Sequence, residues 1–554
     1  MLNKQKNVAE FIVSCLEAEG VKYVFGIPGE ENIKLVRAIT ASEKIRFILV
    51  RHEQGASFMA DIYGRLTGKA GVCTATLGPG AINMLLGVAD AQTDSSPLVA
   101  ISAQVGLNRI YKESHQIVDL VSMFKPITKW ADTILTPAAV PEMMRKAFSL
   151  AQQERPGATY LAIPQDVEVM PIPETLSPIP PKSEIKSYPA PNQIQRAAEL
   201  LRNARYPVIL AGHGVARTMS SKALTAFASR YQVPVATTFM GKGVISDKSP
   251  HALGVIGFMR HDYENFAFDK ADVILAIGYE LQEFSPERIN PNADKKIINI
   301  NTFTADTDEH YFVDVSIECD ITQAITALAA ELGSAPLHTM PSISNIRKLR
   351  QEELHKGQNS CDFPLKPQRI VADIRNAMDD NDIVLADTGA IKMWMSRLYP
   401  TYQPLTCLTS NGLSTMSFSL PGALGAKLAY PERKVLAVMG DGSFMMNSQE
   451  IETAVRENIP LVVLIWVDGS YGLIKWKMDI EEGEHDTVDF SNPDFVKYAQ
   501  SFGATGYLID SAEKLLPTLK KALSLNGVSV IACPVDYSEN MQLVNKLGEL
   551  TISL

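Results

Sequence analysis

Short apolar runs alternate along this chain with stretches in which apolar side chains recur every three or four positions. The runs read as strands buried on both faces and the stretches as amphipathic helices. That rhythm belongs to α/β units on largely parallel sheets. At the N-terminus, Val8, Phe11, Ile12, Cys15 and Leu16 fall on one helical face. Strands are expected at 46–50, 71–76, 97–102 and 159–164, with helices over "EQGASFMADIYGRLTG" and "AINMLLGVADAQTD" between them. A second set of strands falls at 206–214, 233–239, 271–278 and 295–301. A third begins at 382–389, continues through 435–439 and closes at 528–535. Two stretches lack periodicity and read as linkers: 170–192, rich in Pro and Ser, and 335–368, polar and ending in "DFPLKPQ". The chain therefore divides into 1–170, 190–335 and 365–554, three doubly wound parallel-sheet α/β domains. The first and third share a rhythm, but no sequence repeat relates them.

A chain of 554 residues is too long for one core, and 46% hydrophobic with 21% charged residues is ordinary for a globular protein. A net charge of −10 without a basic run argues against nucleic acid or an anionic membrane as partner. No apolar run reaches membrane-spanning length, and the N-terminus lacks a signal-peptide core. The six cysteines (15, 73, 319, 361, 407 and 533) are scattered without a CxxC, so neither a zinc site nor a disulfide framework is indicated. A cytoplasmic enzyme or binding protein is expected.

The segment "VLAVMGDGSFMMNSQEIETAV" carries the candidate chemistry. An Asp-Gly pair usually only reverses the chain. Here it joins a strand to a helix, and Asn447 and Glu450 match a capping pattern just after it. A second acidic turn, "VDGSYG", places Asp468 27 positions beyond Asp441. In a parallel βαβ unit the two turns lie side by side at the carboxyl ends of adjacent strands, where α/β ligands bind. Asp441, Asp468 and a backbone carbonyl near Ser470 offer three oxygens, an Mg²⁺ arrangement that phosphate oxygens would complete. The backbone N–H groups of Gly442 and Ser443 offer hydrogen bonds at the helix start. A nicotinamide fingerprint is missing from 190–340, where "GHGVAR" fails at its last glycine.

Gly440-Asp441-Gly442 followed by Asp468 resembles the diphosphate and Mg²⁺ signature of thiamine-diphosphate enzymes, with Asp where Asn is usual. "EAEGVKYVFGIPGEEN", "RHEQGASFMADIYGRLTGKAGV", "LGPGAIN", "RPGATYLAIPQDV" and "NGLSTMSFSLPGALGAKLA" extend the resemblance over essentially the whole chain. They are similar to the acetolactate (acetohydroxyacid) synthase branch. The resemblance implies that Glu53 bonds N1′ of the cofactor pyrimidine and favours its imino tautomer. Pyruvate would lose CO₂, and its remainder would join a second 2-oxo acid, giving 2-acetolactate from two pyruvates. The alternative is a related 2-oxo-acid decarboxylase or C–C lyase or hydrolase. Met416 matches the residue that props the cofactor into a V shape, and the Ser414 carbonyl would take its 4′-amino group. Gly389 and Ala390 match the diphosphate segment, and Tyr471 and Gly472 join the cofactor set. Gly78, His115 and Gln116 match residues lining the reaction space.

Phe284 stands where FAD-containing relatives carry Arg, and His115 where they carry Phe, so FAD is not expected. Trp476 and Lys477 fall in the substrate loop. The resemblance also implies a homodimer or homotetramer with active sites at the dimer interface.

Overall fold

The computed structural model describes residues 6–181, 186–257, 262–334, 336–338 and 343–540. Parts of both expected linkers, and the last residues of the third domain as drawn above, lie outside these. Three parallel six-stranded sheets follow one another along the chain, flanked by helices. The first contains β1 (Tyr23–Gly26), β2 (Arg46–Leu49), β3 (Gly71–Ala75), β4 (Leu98–Gln104), β5 (Trp130–Thr133) and β6 (Ala158–Pro164), in spatial order β2-β1-β3-β4-β6-β5. The second contains β7 (Pro207–Ala211), β8 (Val235–Thr237), β9 (Ala252–Val255), β10 (Val273–Ile277), β11 (Lys296–Asn301) and β12 (Val313–Glu318), in order β12-β11-β10-β7-β8-β9. The third contains β13 (Ile383–Ala386), β14 (Cys407–Leu408), β15 (Val435–Gly440), β16 (Leu461–Val467), β17 (Thr505–Leu508) and β18 (Val528–Pro534), in order β14-β13-β15-β16-β18-β17.

The first and third sheets thus share one topology, although no sequence repeat announces it. The central sheet has the strand order of dinucleotide-binding folds, with its switch point between β7 and β10. Central strands such as β4, β7 and β10 are buried along their whole length, as their unbroken apolar runs require.

The N-terminal helix Val8–Ala18 buries the face read from the sequence, and Asn7 and Glu10 close a capping box at its start. The region 335–368 is not wholly irregular. Its described part contains the helix Ile343–His355 and the first residues of the helix Pro367–Ala377. Ile346 anchors the former in the central core, and Arg350 pairs with Asp247 at 3.0 Å.

One core cluster runs across the first and third domains. Its seam is the helix Glu53–Thr67 packed on the helix Ser419–Ala429. A Cβ on Gly425 would lie 2.4 Å from the Met59 carbonyl oxygen, so only glycine allows this approach. No described helix is long and apolar enough to cross a membrane.

Candidate active site

β15 and β16 are neighbours in register, with Gly440 opposite Trp466, so the turns after them stand side by side. Asp441 is fully buried and organises both. Its Oδ1 accepts the Gly442 N–H at 2.8 Å. Its Oδ2 accepts the N–H groups of Asp468 (3.1 Å) and Gly469 (2.7 Å) and the Asn492 side chain (2.7 Å). Oδ2 is saturated, and Oδ1 is the oxygen with capacity to spare. The Gly442 amide, expected to serve a phosphate, is engaged by Asp441 instead.

Burial first, and then the Asp441 charge, push the Asp468 carboxyl up to about 7. Two carboxylates that repel each other at one point suit a cation. Ser470 pairs with Asp489 as an isolated bridge whose ladder bonds run from Tyr471 N–H to the Val488 carbonyl and from Phe490 N–H to the Gly469 carbonyl. The Ser470 carbonyl stays out of that ladder. Among the described residues no group of three or more His, Cys, Asp or Glu converges on one point. A cation here would therefore draw on two carboxylates and on backbone or ligand oxygens, a hard all-oxygen set that fits Mg²⁺.

A cleft of about 120 Å³ opens at these turns. Asp441, Gly442 and Ser443 line it after β15, and Asp468, Ser470, Tyr471 and Gly472 after β16. Gly389, Ala390 and Met416 also line it. Two glycines make room for cleft side chains: a Cβ on Gly442 would lie 2.9 Å from the Tyr471 ring, and one on Gly472 2.7 Å from Asp468 Oδ2, so either would displace that side chain. Tyr471 meets Phe490 edge to face at 5.0 Å. The Thr388 hydroxyl also borders the cleft, buried and without a partner, which fits a polar ligand such as a diphosphate. A wider cleft of about 530 Å³ shares Asp468, Ser470 and Gly472 and is bordered by Trp476.

Asn447 and Glu450 form no capping box. The helix Asp441–Asn447 starts at Gly440, and the Asn447 side chain donates to the Ser417 carbonyl at 3.1 Å. Glu450 reaches into the first domain, where Oε1 accepts the N–H groups of Arg51 and His52, both at 3.0 Å. It thereby holds the turn that precedes Glu53. Burial raises its carboxyl to about 7 against these bonds.

Glu53 begins its helix and is only 8% exposed; its Oε2 accepts the Asn83 amide at 3.0 Å. Gly78 has φ +52, and a Cβ there would lie 2.8 Å from the Gln116 carbonyl. Gly78 and Gln116 are therefore neighbours, and His115 and Gln116 are both exposed. Glu53, Gly78, His115 and Gln116 do not line the cleft at Asp441. The substrate-loop pair also divides. On the helix Gly472–Glu481, Trp476 is buried while Lys477 is exposed, on the face of cleft-lining Ile474.

Ser414 lies exposed at φ +50, in a loop that two groups hold. Asp387, buried at the end of β13, accepts the N–H groups of Thr388 (2.8 Å), Ser417 (2.8 Å) and Ser419 (3.1 Å) and the Ser443 hydroxyl (2.6 Å). Burial raises its carboxyl, and these four donors oppose the rise. The Ser443 side chain is thus committed to Asp387. The second group comes from the first domain. Asp90 Oδ1 accepts the hydroxyls of Ser410 (2.5 Å) and Thr415 (2.9 Å). Asp94 accepts the N–H groups of Asn411 (2.9 Å) and Gly412 (2.6 Å) and pairs with Arg65 at 3.0 Å. Sequence reasoning missed Asp90, Asp94, Asp387 and Asn492. Only the apolar run before Asp387 offered a signal, by marking a strand end.

Fold and site together define a thiamine pyrophosphate enzyme. Residues 6–123 match the N-terminal TPP binding domain of these enzymes, 194–328 their central domain and 387–533 their C-terminal TPP binding domain. The chain is 35% identical to the acetolactate synthase of Bacillus subtilis, over 98% of this chain and 96% of that protein. It is 34% identical to the catabolic acetolactate synthase of Raoultella terrigena, over 97% of each chain. It is also 34% identical to the acetolactate synthase large subunit of Haemophilus influenzae, over 97% of this chain and 96% of that one. The chain belongs to the acetolactate synthase family.

Proposed function

We propose that this enzyme decarboxylates pyruvate and ligates the two-carbon remainder to a second 2-oxo acid, making 2-acetolactate from two pyruvates. The observation that carries the reading is the pairing of Asp441 and Asp468 at one cleft with Met416 and Gly389 beside them, in a chain whose relatives bear the acetolactate synthase name. Thiamine diphosphate, when bound, supplies an electron sink for the carbanion left by decarboxylation. The protein's own part is placement. Asp441 and Asp468 would hold Mg²⁺ with the Ser470 carbonyl, and Thr388, Gly389 and Ala390 would meet the diphosphate. Met416 would support the cofactor, and the Ser414 carbonyl would accept from its 4′-amino group. Glu53 would hold a proton for the pyrimidine nitrogen.

Glu53 and the cleft at Asp441 act across two subunits in this reading, which therefore requires a homodimer or a tetramer of two such pairs. Gly78, His115 and Gln116 come with Glu53. Exposed apolar side chains on both sides support the pairing: Ile82 and Leu86 follow Glu53 in the first domain, and Met445, Met446 and Ile474 border the third-domain turns. Lys477 is the candidate partner for the acceptor carboxylate, with Trp476 packed behind it. We read the enzyme as FAD-independent because Phe284 stands where FAD-containing relatives carry Arg, and its ring packs on Gly257, where a Cβ would lie 2.3 Å from it. Six free cysteines support a cytoplasmic setting.

The test is incubation of purified, flavin-free protein with thiamine diphosphate, Mg²⁺ and pyruvate, followed by mass identification of the product. Acetolactate is expected. Acetaldehyde alone would reassign the enzyme as a decarboxylase.

A further inference from the structure

Lys392 is 6% exposed, three residues beyond cleft-lining Gly389. Its ammonium donates to the Ser410 carbonyl at 2.7 Å, Asn411 Oδ1 at 3.2 Å and Ser414 Oγ at 3.1 Å. All three acceptors belong to one loop. Burial lowers this lysine to about 8, with Asp94 and Asp90 working the other way. A buried ammonium is retained only where its hydrogen bonds are made, and here they are made to loop oxygens. The loop needs holding. Ser414 sits at φ +50, where a side chain costs energy that glycine would not. The Ser414 hydroxyl both accepts from Lys392 and donates to the Asn411 carbonyl at 2.9 Å, fixing the turn in that conformation.

We propose that Lys392 is a positioning residue that clamps the 410–414 loop through the Ser414 hydroxyl, and so aims the Ser414 carbonyl at the amino group of the cofactor pyrimidine. The inference rests on the reading that this carbonyl receives the 4′-amino group. Asp90 and Asp94 hold the same loop from the first domain, so the clamp has one jaw on either side of the domain seam. The Ser414 arm of the clamp depends on the hydroxyl: a glycine there would take the same backbone conformation without strain and would leave the cation bonded only to Ser410 and Asn411.

The test measures binding of thiamine diphosphate with Mg²⁺ by calorimetry, together with the near-ultraviolet circular dichroism of the bound aminopyrimidine. The proteins are wild type, Lys392→Met, Ser414→Gly and the double variant. Lys392→Met is expected to weaken binding by about tenfold or more and to alter the aminopyrimidine signal. In the Ser414→Gly background the same change should cost about threefold or less. Lys392→Gln, with two shorter-reaching donors, should fall between wild type and Lys392→Met, and it replaces the latter should that variant fail to fold. Native affinity and spectrum in either lysine variant would overturn the clamp while leaving the cofactor reading intact. Equal loss in both backgrounds would overturn the route through Ser414. Wild type that binds no thiamine diphosphate would overturn the cofactor reading and the clamp with it.

Discussion

The third domain and the central domain present the same kind of place, the carboxyl ends of parallel strands at a switch point, and treat it in opposite ways. In the third domain the strand ends open onto a cleft. Asp441 accepts backbone amides there, and the end of β15 itself is uncrowded: a Cβ on Gly440 would find its nearest neighbour 3.8 Å away. In the central domain the strand ends are filled. Glu283 accepts the N–H groups of His213 (3.2 Å) and Glu280 (3.0 Å) and lies 2.5 Å from where a Cβ on Gly212 would stand. Burial and the Glu280 charge raise Glu283 to about 8. The central sheet has the strand order of a dinucleotide-binding fold, and at the end of β7 it seats a buried glutamate of its own. Topology decides where a ligand site can be, and the side chains at the strand ends decide whether one exists.

Four experiments would break or sharpen this contrast. The largest effect is expected from Asp441→Asn. It keeps an acceptor for the surrounding amides but removes a negative charge from the open cleft. Mg²⁺-dependent cofactor binding and turnover should fall by at least about 1000-fold. Native affinity for both would end the metal reading. Next, Glu53→Gln should lower turnover by about 100-fold or more while cofactor affinity stays within about threefold. Equal losses in turnover and affinity would instead make Glu53 a structural residue.

A matched glycine pair then tests open against filled. Gly212→Ala forces a methyl group onto Glu283 and the Gly278 carbonyl and should destabilise by about 2 kcal/mol. Gly440→Ala, at φ −76 with open space around it, should cost about 0.5 kcal/mol or less. Urea midpoints that fail to separate the two would erase the distinction.

The gentlest test concerns the seam between the first and third domains. Glu450 has its folded pKa raised by burial to about 7, above the ordinary glutamate value of 4.5. The folded state therefore binds this proton more tightly than the unfolded state does. The resulting stabilisation is full below the unfolded pKa and is lost as pH rises through about 7. Between pH 5 and 8 the protein should lose about 2–3 kcal/mol relative to Glu450→Gln. Parallel urea-midpoint profiles for the two would remove Glu450 from the account of the seam.

Much of the fold was legible because strands buried on both faces write themselves as unbroken apolar runs, as in "PLVAIS" and "VILAIG". The pairing of Asp441 with Asp468 was legible for a related reason. One strand-helix-strand unit has a fixed geometry, so a spacing in sequence becomes an adjacency in space. The helix Ile343–His355 was missed although Ile343, Ile346 and Leu349 recur at helical spacing, because its charge-rich surface matched the expectation of a linker. Glu450 was misread because a capping pattern depends only on local spacing, and its partners Arg51 and His52 lie in another domain. The same holds for the loop carrying Ser414. Its anchors Asp90 and Asp94 are some 300 residues away in sequence and ordinary in type, and nothing local marks them. Trp476 and Lys477 are adjacent in sequence and so cannot share a helical face, which settles their separation once the helix is known.

The helix Glu53–Thr67 has a consequence for how this enzyme can change. Almost every residue on it is buried: its start carries Glu53, its middle packs on the helix Ser419–Ala429, and Arg65 near its end anchors the Thr409 carbonyl at 2.7 Å. No face of it is left to vary. The helix Gly472–Glu481 is its opposite, burying only Trp476 while leaving Lys477 and cleft-lining Ile474 exposed. A mutant library spread evenly over the chain would lose most of its members on the first helix. On the second helix most members would still fold, so the chain retains its evolvability there.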